Sequence, residues 1–326
     1  MNSNDKLRPL YILQALMDRT DENNYITTAQ LCDILKNEHE LDTHRKTISN
    51  DIALLRKAKY PIEVHRGTQN QYKFVKRNIS VPELKTVIDA VASAKFIPET
   101  ESRLLINKLE GLTSANNAKN LERHVVAQGR RKSGDEQIFE VIDIINEAIT
   151  KNKRIRFKKT EYNIKKERIL HRGGEEYTFS PYSLVWDGDN YYMVGYSDKY
   201  KSIGNHRVDR IAGKPEILKK AAVEKPEGFK IADYLNSSMK MSVAPVRDVE
   251  LYCDNSVIDA IVDKFGTGVH VMNKGVDAFT IKQNVAVGKV FYAWVFGFEG
   301  KVRILAPADV KKEFKEMMNK VSKSIT

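Results

Sequence analysis

The chain is poor in cysteine: Cys32 and Cys253 are its only two in 326 residues. Two thiols so far apart exclude a disulfide scaffold and a cysteine-based zinc cluster, and they fit a reducing, cytoplasmic location. No apolar run reaches the roughly 18 residues that a membrane-spanning helix needs. The opening MNSNDKLRPL lacks an apolar stretch, so no secretory signal is expected. Catalytic signatures are missing as well: there is no Walker loop, no HExxH and no GxSxG. The seven histidines are scattered without ligand spacing, and no nucleophile–base–acid set stands out. GTGVH follows a helical stretch instead of opening one, so it is not a nucleotide fingerprint. These absences predict a binding protein and not an enzyme, with no cofactor, no metal and no membrane.

Positive charge, in contrast, is abundant. Lys and Arg number 54 against 43 Asp and Glu, a net +11, with a pI near 9.3. Such a surplus marks an anionic partner more often than a bland basic surface. With 41% apolar and 30% charged residues the chain is globular, and its length predicts two or three domains. The surplus is uneven: +3 over residues 1–77, −2 over 78–150, +8 over 151–220 and +2 over 221–326. An anion is therefore expected to bind near the middle of the chain.

Residues 1–77 predict a winged helix-turn-helix. Leu7, Leu10, Leu13 and Leu16 give a first helical stripe, and Thr27 or Thr28 can cap a second helix, AQLCDILK. A third helix is expected from about Thr43 to Ala58, with Ile48, Ile52 and Leu55 facing the core. Its opposite face carries Lys46, Asn50, Ala53 and Lys57, flanked by Thr43, Arg45, Thr47 and Ser49. Readers of this kind place such a helix in the major groove, where Asn50 suits adenine and Lys46 guanine or phosphate. A hairpin around Gly67 follows, and its Arg66 and Lys73 are placed to touch sugar-phosphate.

Residues 78–134 predict an acidic helical linker or dimerisation element, with Pro82 in a first turn, Pro98 between two helices and Gly111 at a helix end. The polar joint AQGRRKSGD reads as flexible, its Arg130, Arg131 and Lys132 as a solvated run. Asp135 can cap a helix with the stripe Ile138, Ile142, Ile145 and Ile149. Short strands are expected at 154–157, 166–171, 177–182, 184–186, 191–196 and 206–211, which suggests a small bent barrel. Arg207 and Arg210 suit phosphate, and Tyr182 and Tyr192 offer faces for bases. His171, His206, Lys158, Lys159 and Arg168 could join them. Two alternatives stay open: an Asp209–Arg210 ion pair, and core packing for Tyr191 and Met193. Because side chains alternate along a strand, Arg207 and Arg210 share a face only if a bulge or strand end lies between them.

Ser180-Pro181-Tyr182-Ser183-Leu184-Val185, then Tyr191-Tyr192-Met193 and His206-Arg207-Val208-Asp209-Arg210-Ile211, resemble the signature of WYL-domain transcriptional regulators. The naming triplet keeps its central tyrosine, Tyr192. The resemblance extends over the helix-turn-helix and, more weakly, over the C-terminal part. It implies a multidomain α+β chain in which an Sm-like (SH3-type) β-barrel, residues 135–220, senses an anionic effector, a nucleotide or nucleic acid. The local chemistry agrees independently, and the effector residues it offers are Arg168, His171, Tyr182, Tyr192, His206, Arg207 and Arg210. Residues 221–326 predict a small two-layer α/β extension in which FYAWVFGF forms core or a dimer contact.

The resulting expectation is a cytoplasmic, homodimeric regulator on a double-stranded DNA operator, switched by a population shift when the barrel fills. The competing reading is a single-stranded DNA- or RNA-binding protein whose winged helix is an interaction module.

Overall fold

A computed structural model describes residues 6–123, 132, 134, 136–272 and 275–325, with the backbone alone at 122 and 123. The chain forms two compact units, Met1–Glu136 and Gln137–Thr326. Arg130, Arg131 and Asp135 lie outside the described residues. Among the described residues no helix is long and apolar enough to cross a membrane.

The first unit runs α1 (Arg8–Arg19), β1 (Ile26–Thr27), α2 (Thr28–His39), α3 (Arg45–Lys57), β2 (Ile62–His65) and β3 (Gln71–Phe74). The strands form one antiparallel sheet in the order β1-β3-β2. Thr27 caps α2 in a reciprocal box with Gln30, which satisfies two backbone donors that the helix leaves open. Ile12, Leu16, Leu31, Leu35, Ile48, Ile52 and Tyr72 fill the core. The third helix starts two residues later than its sequence suggests, and no side chain caps it at His44. Asp51 is buried on α3 and is held by Arg8 Nε at 2.6 Å, because a carboxylate out of water needs a paired cation.

Three further helices follow: α4 (Val81–Ser93), α5 (Glu99–Glu110) and α6 (Ala115–Arg123). They share a small core of Leu84, Ile88 and Leu121. Ser114, just before α6, donates at 2.7 Å to the buried Asp21 beyond α1. Lys132 is not part of a solvated run. Its ammonium donates to the carbonyls of Val91 and Ala94 and, at 2.6 Å, to Ser102 Oγ.

The second unit opens with α7 (Ile138–Thr150), whose buried stripe is Ile138, Val141, Ile145 and Ala148. Ile142 and Ile149 are only half-buried, so the face is rotated from the all-isoleucine stripe. Next come β4 (Lys153–Tyr162), β5 (Arg168–Leu170), β6 (Glu176–Asp187), β7 (Asn190–Ser197), β8 (Ser202–Arg207) and β9 (Ile211–Ala221). Their order is β5-β4-β6-β7-β8, with β9 also paired to β4. Among the described residues no ladder joins β8 to β9, so hydrogen bonding leaves the expected barrel open. The stretch 206–211 is not one strand: β8 ends at Arg207, a one-turn 3-10 helix spans Val208–Arg210, and β9 begins at Ile211. β9 itself, with three Lys and Gly213 and Pro215 within it, was not legible as a strand.

The remainder is α8 (Ile231–Ser237), β10 (Val246–Asp254), α9 (Ile258–Phe265), β11 (Val271–Met272), β12 (Ala278–Ala286), α10 (Lys289–Phe296), β13 (Val302–Ala306) and α11 (Ala308–Ile325). A four-stranded sheet, β11-β12-β10-β13, packs on these helices around Val249, Leu251, Ile281 and Phe291. FYAWVFGF supplies α10, and its Phe291, Tyr292 and Val295 are core.

One position fixes the bend of the β6–β7 pair. The register slips between Pro181 and Ser183, leaving Tyr182 as an extra residue, and Gly195 lies opposite Pro181. A Cβ on Gly195 would come within 2.1 Å of the Ser180 carbonyl oxygen and 2.7 Å of Phe179. Gly195→Ala should therefore destabilise the second unit by about 3 kcal/mol or more, read as a lowered urea midpoint. A midpoint equal to the parent's would show that the bulge can relax.

Candidate nucleic-acid and effector interfaces

In the first unit, Arg45, Lys46, Asn50, Ala53 and Lys57 stand exposed on α3, with Thr43, Thr47 and Ser49 half-buried. A cleft of about 260 Å³ is lined by Thr28 and Ala29 of α2, Arg45, Lys46 and Ser49 of α3, and Gly67–Asn70 of the β2–β3 loop. A neighbouring hollow of about 510 Å³ brings in His65 and Arg66. The start of α3 and the hairpin tip thus converge on one basic concavity.

Two expected contacts point elsewhere. Ser49 Oγ donates to the Arg45 carbonyl at 3.2 Å and lies 3.4 Å from the hydroxyl of the buried Tyr72, so it braces the helix against the sheet. Lys73 donates to the Glu22 carbonyl at 3.1 Å, pairs with Glu63 at 3.4 Å and lies over the Tyr25 ring. Hydrogen bonding to Tyr25 leads the effects that raise its pKa. Its charge is committed within the unit, whereas Arg66 remains on the exposed loop.

In the second unit the sheet curls until His206 of β8 meets rings of β4 and β6. Phe157, Tyr177 and Phe179 lie 5.2, 5.8 and 4.8 Å from it. Burial, and then the Lys159 cation, push the His206 imidazole down to about 3. It is therefore neutral at physiological pH and cannot serve as a cationic anion ligand.

The arginines have partners of their own. Arg207 forks onto Asp209 at 2.9 and 2.7 Å, which replaces the Asp209–Arg210 pair read from sequence. That bidentate bond raises the Arg207 pKa against the opposing effect of burial. Arg168 donates to Thr160 Oγ1 and to the carbonyls of Asp209 and Ile211, stapling β5 to the turn. Arg210 stacks its guanidinium 4.7 Å from the Tyr162 ring centre. His171 Nδ1 lies 2.9 Å from Glu161.

Nor are Tyr182 and Tyr192 open stacking faces. They are 6% and 9% exposed. The segment after β9 covers them: the Tyr182 hydroxyl donates to the Glu224 carbonyl at 3.0 Å, and Tyr192 packs with Met241, Phe229 and Leu235. Met193 is core, as its alternation suggested, while Tyr191 is half-buried. Sequence reasoning missed another grouping. Arg172 and Lys199, from two different turns, gather with Lys159 around Tyr177 and Glu175. Only their spatial meeting marks them, and turn composition carries no such signal.

Residues 140–214, in the second unit, match the WYL domain family. The chain is similar to the solved proteasome accessory factor B/C (PafBC) of Arthrobacter aurescens: 14% identity, TM-score 0.32, covering 96% of this chain and 47% of that one. It thus spans about half the length of that protein. It is also similar to a CRISPR Cas-related protein, at 15% identity and TM-score 0.40, covering 91% and 77% of the two chains. No curated protein matches the chain.

The depressed His206 pKa has a sign that can be checked. An unfolded histidine binds its proton near pH 6.5 whereas folded His206 does so near 3. Stability is thus complete above about pH 6.5 and falls as the pH drops below it, by at most about 1.4 kcal/mol per pH unit. Denaturant titrations at several pH values should show that loss, reduced in His206→Phe. By NMR the His206 ring should not titrate between about pH 5 and 8; a midpoint in that range would refute the buried assignment.

Proposed function

We propose that the chain is a DNA-binding transcriptional regulator whose WYL domain senses an anionic effector, a nucleotide or nucleic acid. It acts by binding and not by catalysis. The observation that carries the reading is the basic concavity where Arg45 and Lys46 meet the β2–β3 hairpin. The element order α1–β1–α2–α3–β2–β3 supports a winged helix-turn-helix, with α3 as the reading helix and the hairpin as the wing. Exposed Lys46 and Asn50 are the groups for base edges, Arg45 and Arg66 for phosphate. The reader acts as a homodimer on a pseudo-palindromic site, in the cytoplasm, and effector binding shifts the population toward one arrangement of its two DNA-binding heads.

Selection from random duplexes supplies the ligand, and fluorescence anisotropy supplies the affinity. Lys46→Ala combined with Asn50→Ala should weaken the selected duplex by about tenfold or more, since a good base contact contributes about 1–3 kcal/mol. Arg66→Ala should weaken all sequences alike and lower the salt slope by about 1. Lys73→Ala should leave the affinity near the parent's, because that side chain is held by Glu22, Glu63 and Tyr25. Parental duplex affinity in the Lys46/Asn50 variant would overturn the reading. Equal loss of duplex and single-strand binding would favour a single-strand binder instead.

A further inference from the structure

We propose that Lys159, Arg172 and Lys199 form a phosphate-ester subsite on the WYL domain, and that Glu175 fills it as an internal stand-in for the ligand. The inference rests on the anionic-effector reading and says where the phosphate goes and what must leave.

The residues come from separate points of the chain. Lys159 is on β4, Arg172 in the turn between β5 and β6, Glu175 just before β6, and Lys199 in the turn between β7 and β8. They converge over one buried ring. Tyr177 is 1% exposed, and the ammonium groups of Lys159 and Lys199 lie 4.3 and 5.5 Å from its centre. Its hydroxyl donates to Glu175 Oε2 at 2.9 Å. Glu175 Oε1 accepts from Lys199 Nζ, and Arg172 Nη1 lies 3.6 Å from Oε2.

The charges do not balance. Among the described residues Glu175 alone pairs with these cations, and Lys159 makes no ion pair of its own. Glu161, whose carboxylate also acts on Lys159 and Arg172, lies 2.9 Å from His171 Nδ1. Burial, followed by the neighbouring Arg172 and Lys199, lowers the Lys159 pKa against the opposing carboxylates of Glu175 and Glu161. The same surroundings hold Glu175 down at about 2, led by the Lys199 hydrogen bond. A carboxylate offers two oxygens and one charge. A terminal phosphate offers three oxygens and nearly two charges, which suits three convergent donors better.

Arg172 is set by the backbone. It adopts φ 47° ahead of Gly173 and Gly174, at 67° and 89°. A non-glycine residue in the left-handed region is held there by its surroundings, and such positions gather at ligand sites. Next to Arg172 stands Tyr200, 53% exposed, in electrostatic contact with the guanidinium. An open ring beside a phosphate subsite provides a stacking face for a base, so the ligand class is a nucleotide or a 5′-phosphorylated strand end. Because Glu175 competes for the same donors, the unliganded domain is held closed by its own carboxylate.

The test is isothermal titration of the full chain with the 5′-phosphorylated dinucleotide pTpT. Glu175→Gln, which keeps an acceptor for Tyr177, should bind about tenfold tighter than the parent, the effect of one lost competing anion. Lys159→Ala with Lys199→Ala should bind more than about tenfold weaker. Lys165→Ala, which removes an exposed charge elsewhere on the domain, should match the parent. Near-ultraviolet circular dichroism confirms that each variant is folded. Glu175→Gln binding no tighter than the parent overturns the proposal. So does parental affinity in the double lysine variant, or absence of pTpT binding in both parent and Glu175→Gln. If pTpT binds as expected but leaves duplex affinity unchanged, the subsite stands and the sensor reading fails.

Discussion

Asp209 sits in a one-turn helix between two strands, with 8% of its surface exposed. A carboxylate that deep must find charged and hydrogen-bonding partners or lose its ionisation. It finds Arg207, two residues earlier, which forks onto both its oxygens. The turn's open carbonyls at Asp209 and Ile211 are met by Arg168 from β5. Arg210, at the end of the same turn, lies against Tyr162 of β4. One tight reversal thereby engages three arginines of the most basic segment and anchors β5, β8 and β9 to each other.

That engagement divides the cations of the WYL domain into two kinds. Those at the turn are paired in fixed geometry, and removing a partner would leave a buried charge exposed to a poor dielectric. Those around Tyr177 are crowded against one another, with Glu175 the one carboxylate paired to them among the described residues and Glu161 at their edge on His171. The first kind holds the fold together. The second is in a state that an incoming anion would relieve, which is the electrostatic condition for a binding site. The cover contributed by the segment after β9 sharpens the division. By packing Phe229, Leu235 and Met241 over β6–β8 it withdraws Tyr182 and Tyr192 from solvent, while Tyr200 stays open beside Arg172.

The first unit works on a related constraint. Tyr72 is 1% exposed, yet its hydroxyl meets Thr28 at the start of α2 and Ser49 on α3. The Arg8–Asp51 pair ties α3 to α1. Helix α3 is thus held from two sides by polar contacts that a one-residue rotation would break, and Arg45, Lys46 and Asn50 are presented outward as a consequence.

Much of this was legible in the residues. The 3.6-residue spacing of Ile48, Ile52 and Leu55 placed both faces of α3, because a helix has one core-facing stripe whatever it packs on. The hairpin around Gly67, the caps and most strands followed from local chemistry of the same kind. The WYL signature was readable because it is a contiguous string of residues, and the family match covers it. What the sequence could not convey was which polar groups meet. Lys73 is basic and on the β2–β3 hairpin, but only the fold sets it against Glu22, Glu63 and Tyr25. Tyr182 and Tyr192 are aromatic and on the signature strands, but burial came from a segment some 40 residues away. Arg172, Glu175 and Lys199 belong to turns whose neighbours are chosen by how far the sheet curls. The sequence alone determined periodicity, charge surplus and element order, since these depend on near neighbours along the chain. The tertiary structure decided which cations are locked in pairs and which crowd around a shared carboxylate, because charge pairing depends on distance in space.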